Sequence, residues 1–201
     1  MNKEGFVELL GSIVAGMSSG LTIRMSDGRG RFTEVVEPKI NYIFGSDQYV
    51  KDKIDEYSKT PAGVSADRNP KFPLVAFLMP VTEQRDGAFY FSKAKVSLLI
   101  ACSSRKEWSN EQRLETSFKN VLRPVYDRLM DALRNDSRLL VGYDEVLSHT
   151  YSENYSYGRY GAYTQRGDAV SEPIDAINIG SLELKIKVVK CDDRFAARNR
   201  R

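Results

Sequence analysis

Histidine and cysteine are scarce in this sequence. The single histidine, His149, excludes every His-rich metal site and leaves one base for a Ser-His-Asp arrangement. The two cysteines, Cys102 and Cys191, lie far apart and form no C-x-x-C, which excludes a zinc knuckle and a disulfide scaffold. Each follows an apolar run and reads as a small buried hydrophobe rather than a nucleophile. An excess of one charge is lacking too. Thirty Lys and Arg against 27 Asp and Glu leave a net +3, too balanced to name nucleic acid or a membrane surface as the partner. No run approaches the roughly 18 apolar residues of a membrane span. The apolar stretch from Phe6 to Met17 is broken by Glu8 and lacks a basic start and an A-x-A site. The expected compartment is therefore a reducing cytoplasm, with both cysteines as thiols.

Catalytic signatures are missing as well. No G-x-S-x-G elbow supplies a nucleophile for His149. Asp27-Gly28-Arg29-Gly30-Arg31 has the glycines of a phosphate loop but no Gly-Lys-Ser/Thr and no helix after it, so it reads as a hairpin turn. Asp192-Asp193 is a carboxylate pair without a second cluster. No enzyme activity, cofactor or metal is expected.

What the sequence does have is a core. Hydrophobic residues make up 41% and charged residues 28% of 201 positions, which suits a globular chain of one domain or a small domain with an extension. At this size roughly 70% of the unfolded surface can be buried without a staple. Phe6, Val7, Leu9, Leu10, Ile13, Val14 and Met17 recur at helical spacing, but Gly5, Gly11 and Gly16 weaken that helix and make it depend on packing. Leu21–Met25 alternates as a strand, Phe32–Phe44 is extended, and residues 47–58 form a short helix capped by Ser46 or Asp47. Residues 59–71 read as a loop. Residues 72–79 form an apolar strand buried on both faces, connected through 81–88 to an antiparallel strand at 90–101.

The clearest signal lies at 109–134. Leu114, Phe118, Val121, Leu122, Val125, Tyr126, Leu129 and Leu133 make one face of a long amphipathic helix. Ser109 and Gln112 form a capping box, and Pro124 should kink the helix. A short strand is expected at 138–147 and a strictly alternating strand within 175–190, with a loop over 148–173 between them. The expected fold is thus α+β: a small mixed or antiparallel sheet packed by the long kinked helix and the N-terminal helix.

Two segments suggest contacts with other molecules. Six of the 11 tyrosines, among them Tyr151, Tyr155, Tyr157, Tyr160 and Tyr163, fall between positions 143 and 163. Tyrosine is enriched at protein interfaces because it offers large area at low entropic cost. The segment 148–173 carries only Arg159 and Arg166 against Glu153, Asp168 and Glu172, so a protein partner suits it better than nucleic acid. The basic tail carries Arg194, Arg198, Arg200 and Arg201. It is either a solvated terminus or an arm for an acidic neighbour or for phosphates.

The order of elements from Lys71-Phe72-Pro73-Leu74-Val75-Ala76-Phe77, through Val96-Ser97-Leu98-Leu99-Ile100 and the helix Arg113–Leu133, to Asp175-Ala176-Ile177-Asn178-Ile179 and Leu182–Val188, resembles the tail terminator and tail completion proteins of tailed bacteriophages. These are small α/β proteins that form rings at the junction of head and tail. The resemblance covers residues 71–190. It departs from a minimal member in the extension 1–70 and the long 148–173 segment. It implies an N-terminal extension (1–70), a ring-subunit core (71–190) and a basic tail (191–201). It also implies a structural protein that closes into a sixfold or twelvefold ring of its own copies, beside portal, adaptor or tail-tube proteins, without a membrane partner. The genome would pass through the channel without specific recognition. Such a protein would reside in the virion neck or tail, and in host cytoplasm during assembly. The alternatives are a nucleic-acid-binding module using the tail and tyrosines, and a hydrolase built on His149.

Overall fold

The computed structural model describes residues 5–26, 31–58, 69–85, 91–140, 146–157 and 173–187. The longest alternating runs make the centre of the sheet. Alternation sends every second side chain to one face, so both faces of a strand can be read from its sequence. Here Ala94, Val96, Leu98, Ile100 and Cys102 point to one core, and Leu99 and Ala101 to another. They belong to β6 (Phe91–Ser103), which pairs antiparallel with β8 (Ile174–Lys187) along its length. β8 holds one extra residue midway: Val96 faces Leu182, but Leu98 faces Ile179. Ser181 sits in the left-handed region at φ 54°. This bulge keeps both Ile179 and Leu182 in the larger core.

On the other side of β6 lies β4 (Leu74–Met79), antiparallel to it, with the short β5 (Glu83–Arg85) farther along the same strand. β3 (Asn41–Ser46) runs parallel to β4, and α2 (Asp47–Ser58) makes the crossover between them. β7 (Thr150–Tyr157) pairs antiparallel with the far side of β8. The six-stranded sheet therefore reads β3-β4-β6-β8-β7, with β5 on β6. A separate two-stranded ribbon joins β1 (Thr22–Ser26) and β2 (Phe32–Val36).

Helices cover both faces unequally. On the first face lie α1 (Phe6–Gly16) and α3, which runs from Asn110 to Asn135. Leu9, Leu10, Phe118, Leu122, Val125, Leu129 and Leu133 are buried there with Val75, Phe77, Ile177 and Leu184. On the second face α2 places Val50 and Ile54 against Leu74, Ala76, Leu99, Ala101 and Ala176. Each large aliphatic side chain so buried contributes roughly 1.5–3 kcal/mol of transfer free energy. The weak helix α1 is held by its neighbours, as its glycines require. A Cβ on Gly11 would stand 3.1 Å from the Tyr42 ring, whose hydroxyl donates to Val7 O at 3.0 Å. Arg128 of α3 donates to Met17 O and Ser19 O, closing the C-terminal end of α1.

The α+β architecture and the long helix agree with the sequence reading. Helix α3 opens with the expected capping box: Ser109 Oγ accepts from Gln112 N–H, and Gln112 Oε1 accepts from Ser109 N–H at 2.9 Å. The discontinuity expected at Pro124 takes another form. Residues Leu114–Leu122 are π-helical, Arg123 N–H donates to Phe118 O, and Pro124 falls at the start of the following α-helical segment Arg123–Asn135. The wide π turns thus end where proline, which has no N–H to donate, enters the helix.

Three expectations are corrected. The span 138–147 does not supply a strand among the described residues. It gives an isolated bridge, Leu139 to Ile186, while Leu139 and Leu147 fill the larger core. The strand beside β8 is β7, inside the segment expected to be a loop. Phe32–Phe44 is two strands, not one stretch, interrupted where Glu37 takes φ 51°. β3 precedes residue 70 and β4 follows it, and the two strands pair in one sheet. Residues 188–190 of the last expected strand lie outside the described residues, as do 59–68 of the expected loop. Among the described residues no helix is long and apolar enough to cross a membrane.

Candidate interaction surface

β7 is the outermost strand beside β8. Its sequence, TYSENYSY, alternates aromatic or charged residues with small polar ones. The alternation turns Tyr151, Glu153 and Tyr155 toward α3. Tyr151 O–H donates to Glu153 Oε1 at 2.6 Å. Arg123 of α3 grips the same carboxylate with Nε at 2.8 Å and Nη2 at 3.2 Å. This two-point contact holds the Glu153 carboxyl below the usual carboxylate range, and the Tyr151 hydroxyl adds to the effect against partial burial. The Tyr126 ring meets Tyr151 edge-on at 5.0 Å, and Phe118 stacks on Tyr155 at 4.4 Å. Tyr151 and Tyr155 still expose 42% and 37% of their surfaces. They are braced from within and open outward. Beyond a register shift after Asn154, Tyr157 turns to the second face and packs against the α2 core. Tyr157, named with the other tyrosines as an interface residue, is partly buried on that second face.

His149 sits at the entrance to this strand. Its Nδ1 lies 2.6 Å from Leu147 O and its Nε2 2.8 Å from Tyr126 Oη. A carbonyl only accepts, so Nδ1 carries a proton, and Nε2 shares a hydrogen bond with the tyrosine hydroxyl. Both ring nitrogens are engaged, Nε2 with Tyr126 of α3 and Nδ1 with the backbone of its own segment.

A second polar cluster is wholly internal. Arg113, at the start of α3, donates to Asp175 Oδ1 at 2.9 Å, to Ser104 Oγ at 2.6 Å and to Arg105 O at 2.7 Å. Ser117 Oγ donates to Asp175 Oδ2 at 2.6 Å. The network bolts α3 to β8 and to the end of β6. Cys102 lies beside it; burial pushes its thiol pKa far up, and the Asp175 charge pushes the same way. Such a thiol is a core residue, not a nucleophile. A small cavity of about 20 Å³ beside it, lined by Met25, Phe72, Trp108, Thr116 and Val121 among others, is large enough for one water. Among the described residues no group of three or more His, Cys, Asp and Glu is placed to hold a metal ion.

Of the interface residues read from the sequence, the structure brings Tyr151 and Tyr155 together on one outer surface and turns Tyr157 away. Tyr160, Tyr163, Arg194, Arg198, Arg200 and Arg201 lie outside the described residues. Sequence reasoning missed Arg123 and Tyr126, which face β7 from α3. Tyr126 was counted in the apolar stripe, and Arg123 gave no signal of its own. No protein-family model, curated protein or solved structure matches the chain.

Proposed function

We propose that the chain is a structural subunit of a ring at the neck or tail of a tailed bacteriophage, resident in the virion and present in host cytoplasm during assembly. The observation that carries this reading is the braced outer strand. β7 ends the sheet, bears two half-exposed tyrosines backed by Arg123, Tyr126 and Phe118, and leads in sequence into the remaining tyrosines, Tyr160 and Tyr163. Rigid aromatic anchors ringed by polar groups suit a protein contact. A surface on one edge that meets a different surface of the next copy is heterologous, and rotation closes such contacts into rings. Portal, adaptor or tail-tube proteins would sit above and below.

Quantitative mass spectrometry of particles made by the genome encoding this chain tests the reading. The expected result is a fixed stoichiometry of six or twelve copies per particle. Absence of the chain from purified particles overturns it.

A further inference from the structure

Helix α2 covers only part of the second sheet face. Among the described residues no helix packs on the rest of this face, which carries three lysines. β6 sends Lys93 and Lys95 there, because Ala94 and Val96 take the opposite side into the larger core. β8 sends Glu183 and Lys185 there, between the buried Leu182, Leu184 and Ile186. The register sets Lys93 directly opposite Lys185, and Lys95 opposite Glu183. Lys93 and Lys95 stand about 7 Å apart along the strand, and Lys185 about 5 Å across from Lys93. Lys93 Nζ lies 2.6 Å from Glu183 Oε1. The hydrogen bond from Lys93 lowers the pKa of that carboxyl, and the charges of Lys93, Lys185 and Lys95 lower it further. Among the described residues, Glu183 is the one carboxylate shown to act on these three ammonium groups.

This arrangement does not help the fold. Like charges directly opposite on paired strands destabilise a sheet. The neighbouring polar groups on this face are Ser97, Asn178 and Gln84, the last opposite Lys93, and the apolar Leu78 stands opposite Ser97. Lysine, glutamate and serine are depleted from protein–protein interface cores, and no aromatic anchor joins them among the described residues on this part of the face. Phosphate oxygens, in contrast, are contacted by lysine together with serine, asparagine and glutamine. We propose that this lysine-bearing half of the second sheet face docks the phosphodiester backbone of nucleic acid without reading base sequence. The surface belongs to one subunit and does not rest on the ring reading, so the two can fail separately.

The test is binding of the full-length protein to two short labelled DNA duplexes of unrelated sequence over a range of salt. The wild type is expected to bind both equally and to weaken steeply with salt. K93Q/K95Q/K185Q is expected to lose at least tenfold in affinity at low salt and to show a log–log salt slope shallower by roughly 2.7, or about 0.9 for each lost phosphate contact. A triple Lys→Arg variant at the same positions keeps the binding and controls for folding, alongside matched circular dichroism of all variants. R194Q/R198Q/R200Q/R201Q keeps the three-lysine share of the slope. Three results overturn the proposal: no binding at low salt, loss confined to the tail-arginine variant, or binding of polyglutamate as tight as that of the duplex, which would assign the face to an acidic polypeptide.

Discussion

Asp175 and Arg113 are 62 positions apart in sequence and form a buried pair completed by Ser104 and Ser117. Removing one partner of such a pair leaves the other charged in a low-dielectric interior, which costs far more than the net worth of the pair. Asp175→Asn is therefore expected to lower the unfolding free energy by about 3–5 kcal/mol, measured by urea denaturation. A loss under 1 kcal/mol would mean that the network is not closed to water. Cys102 offers a gentler probe of the same region. Burial raises its thiol pKa, so little thiolate exists at neutral pH. Alkylation of the Cys102 peptide, followed by mass spectrometry, should appear only as the protein unfolds; rapid labelling under native conditions would contradict the packing described.

At the scale of elements, the contact between α3 and β7 decides how the outer strand is presented. Glu153 has its folded pKa lowered, first by the Arg123 hydrogen bonds. Its contribution is therefore present above the unfolded value of about 4.3 and is lost as pH falls through the lower folded value. Glu153→Gln is expected to cost about 0.5–1 kcal/mol at pH 7, since Arg123 is partly exposed. The gap between wild type and variant should close as denaturation is repeated from pH 5 down to below about 4; a gap that widens would contradict the assignment. The sequence made some of these elements readable and hid others. The helical stripe and the Ser109–Gln112 box in α3 repeat a pattern set by local geometry, and so does the alternation in β6 and β8. β7 was hidden because its alternation is carried by tyrosine against serine, glutamate and asparagine, inside a polar, glycine-bearing stretch. Residues 138–147 misled for the opposite reason. Leu139 and Leu147 are apolar because each plugs the larger core, not because they share a strand. The Arg113–Asp175 pair and the Arg123–Glu153 clasp join residues far apart in the chain, which no local pattern encodes.

At the scale of the molecule, residues before and after position 70 build one sheet, so the early extension is part of the scaffold that carries β7. That scaffold has two unlike surfaces: an edge with braced tyrosines and a part of the second face that carries lysines. A net charge of +3 conceals the second, because the sum over the chain says nothing of where the charges stand. The ring reading assigns the edge to neighbouring copies. Cryo-electron microscopy of particles made by the genome encoding this chain tests that assignment most directly. The account predicts a closed ring at the neck or tail in which β7, with Tyr151 and Tyr155, lies at the boundary between adjacent copies. Particles that contain no density for this fold, or a ring in which both tyrosines face solvent, would contradict it.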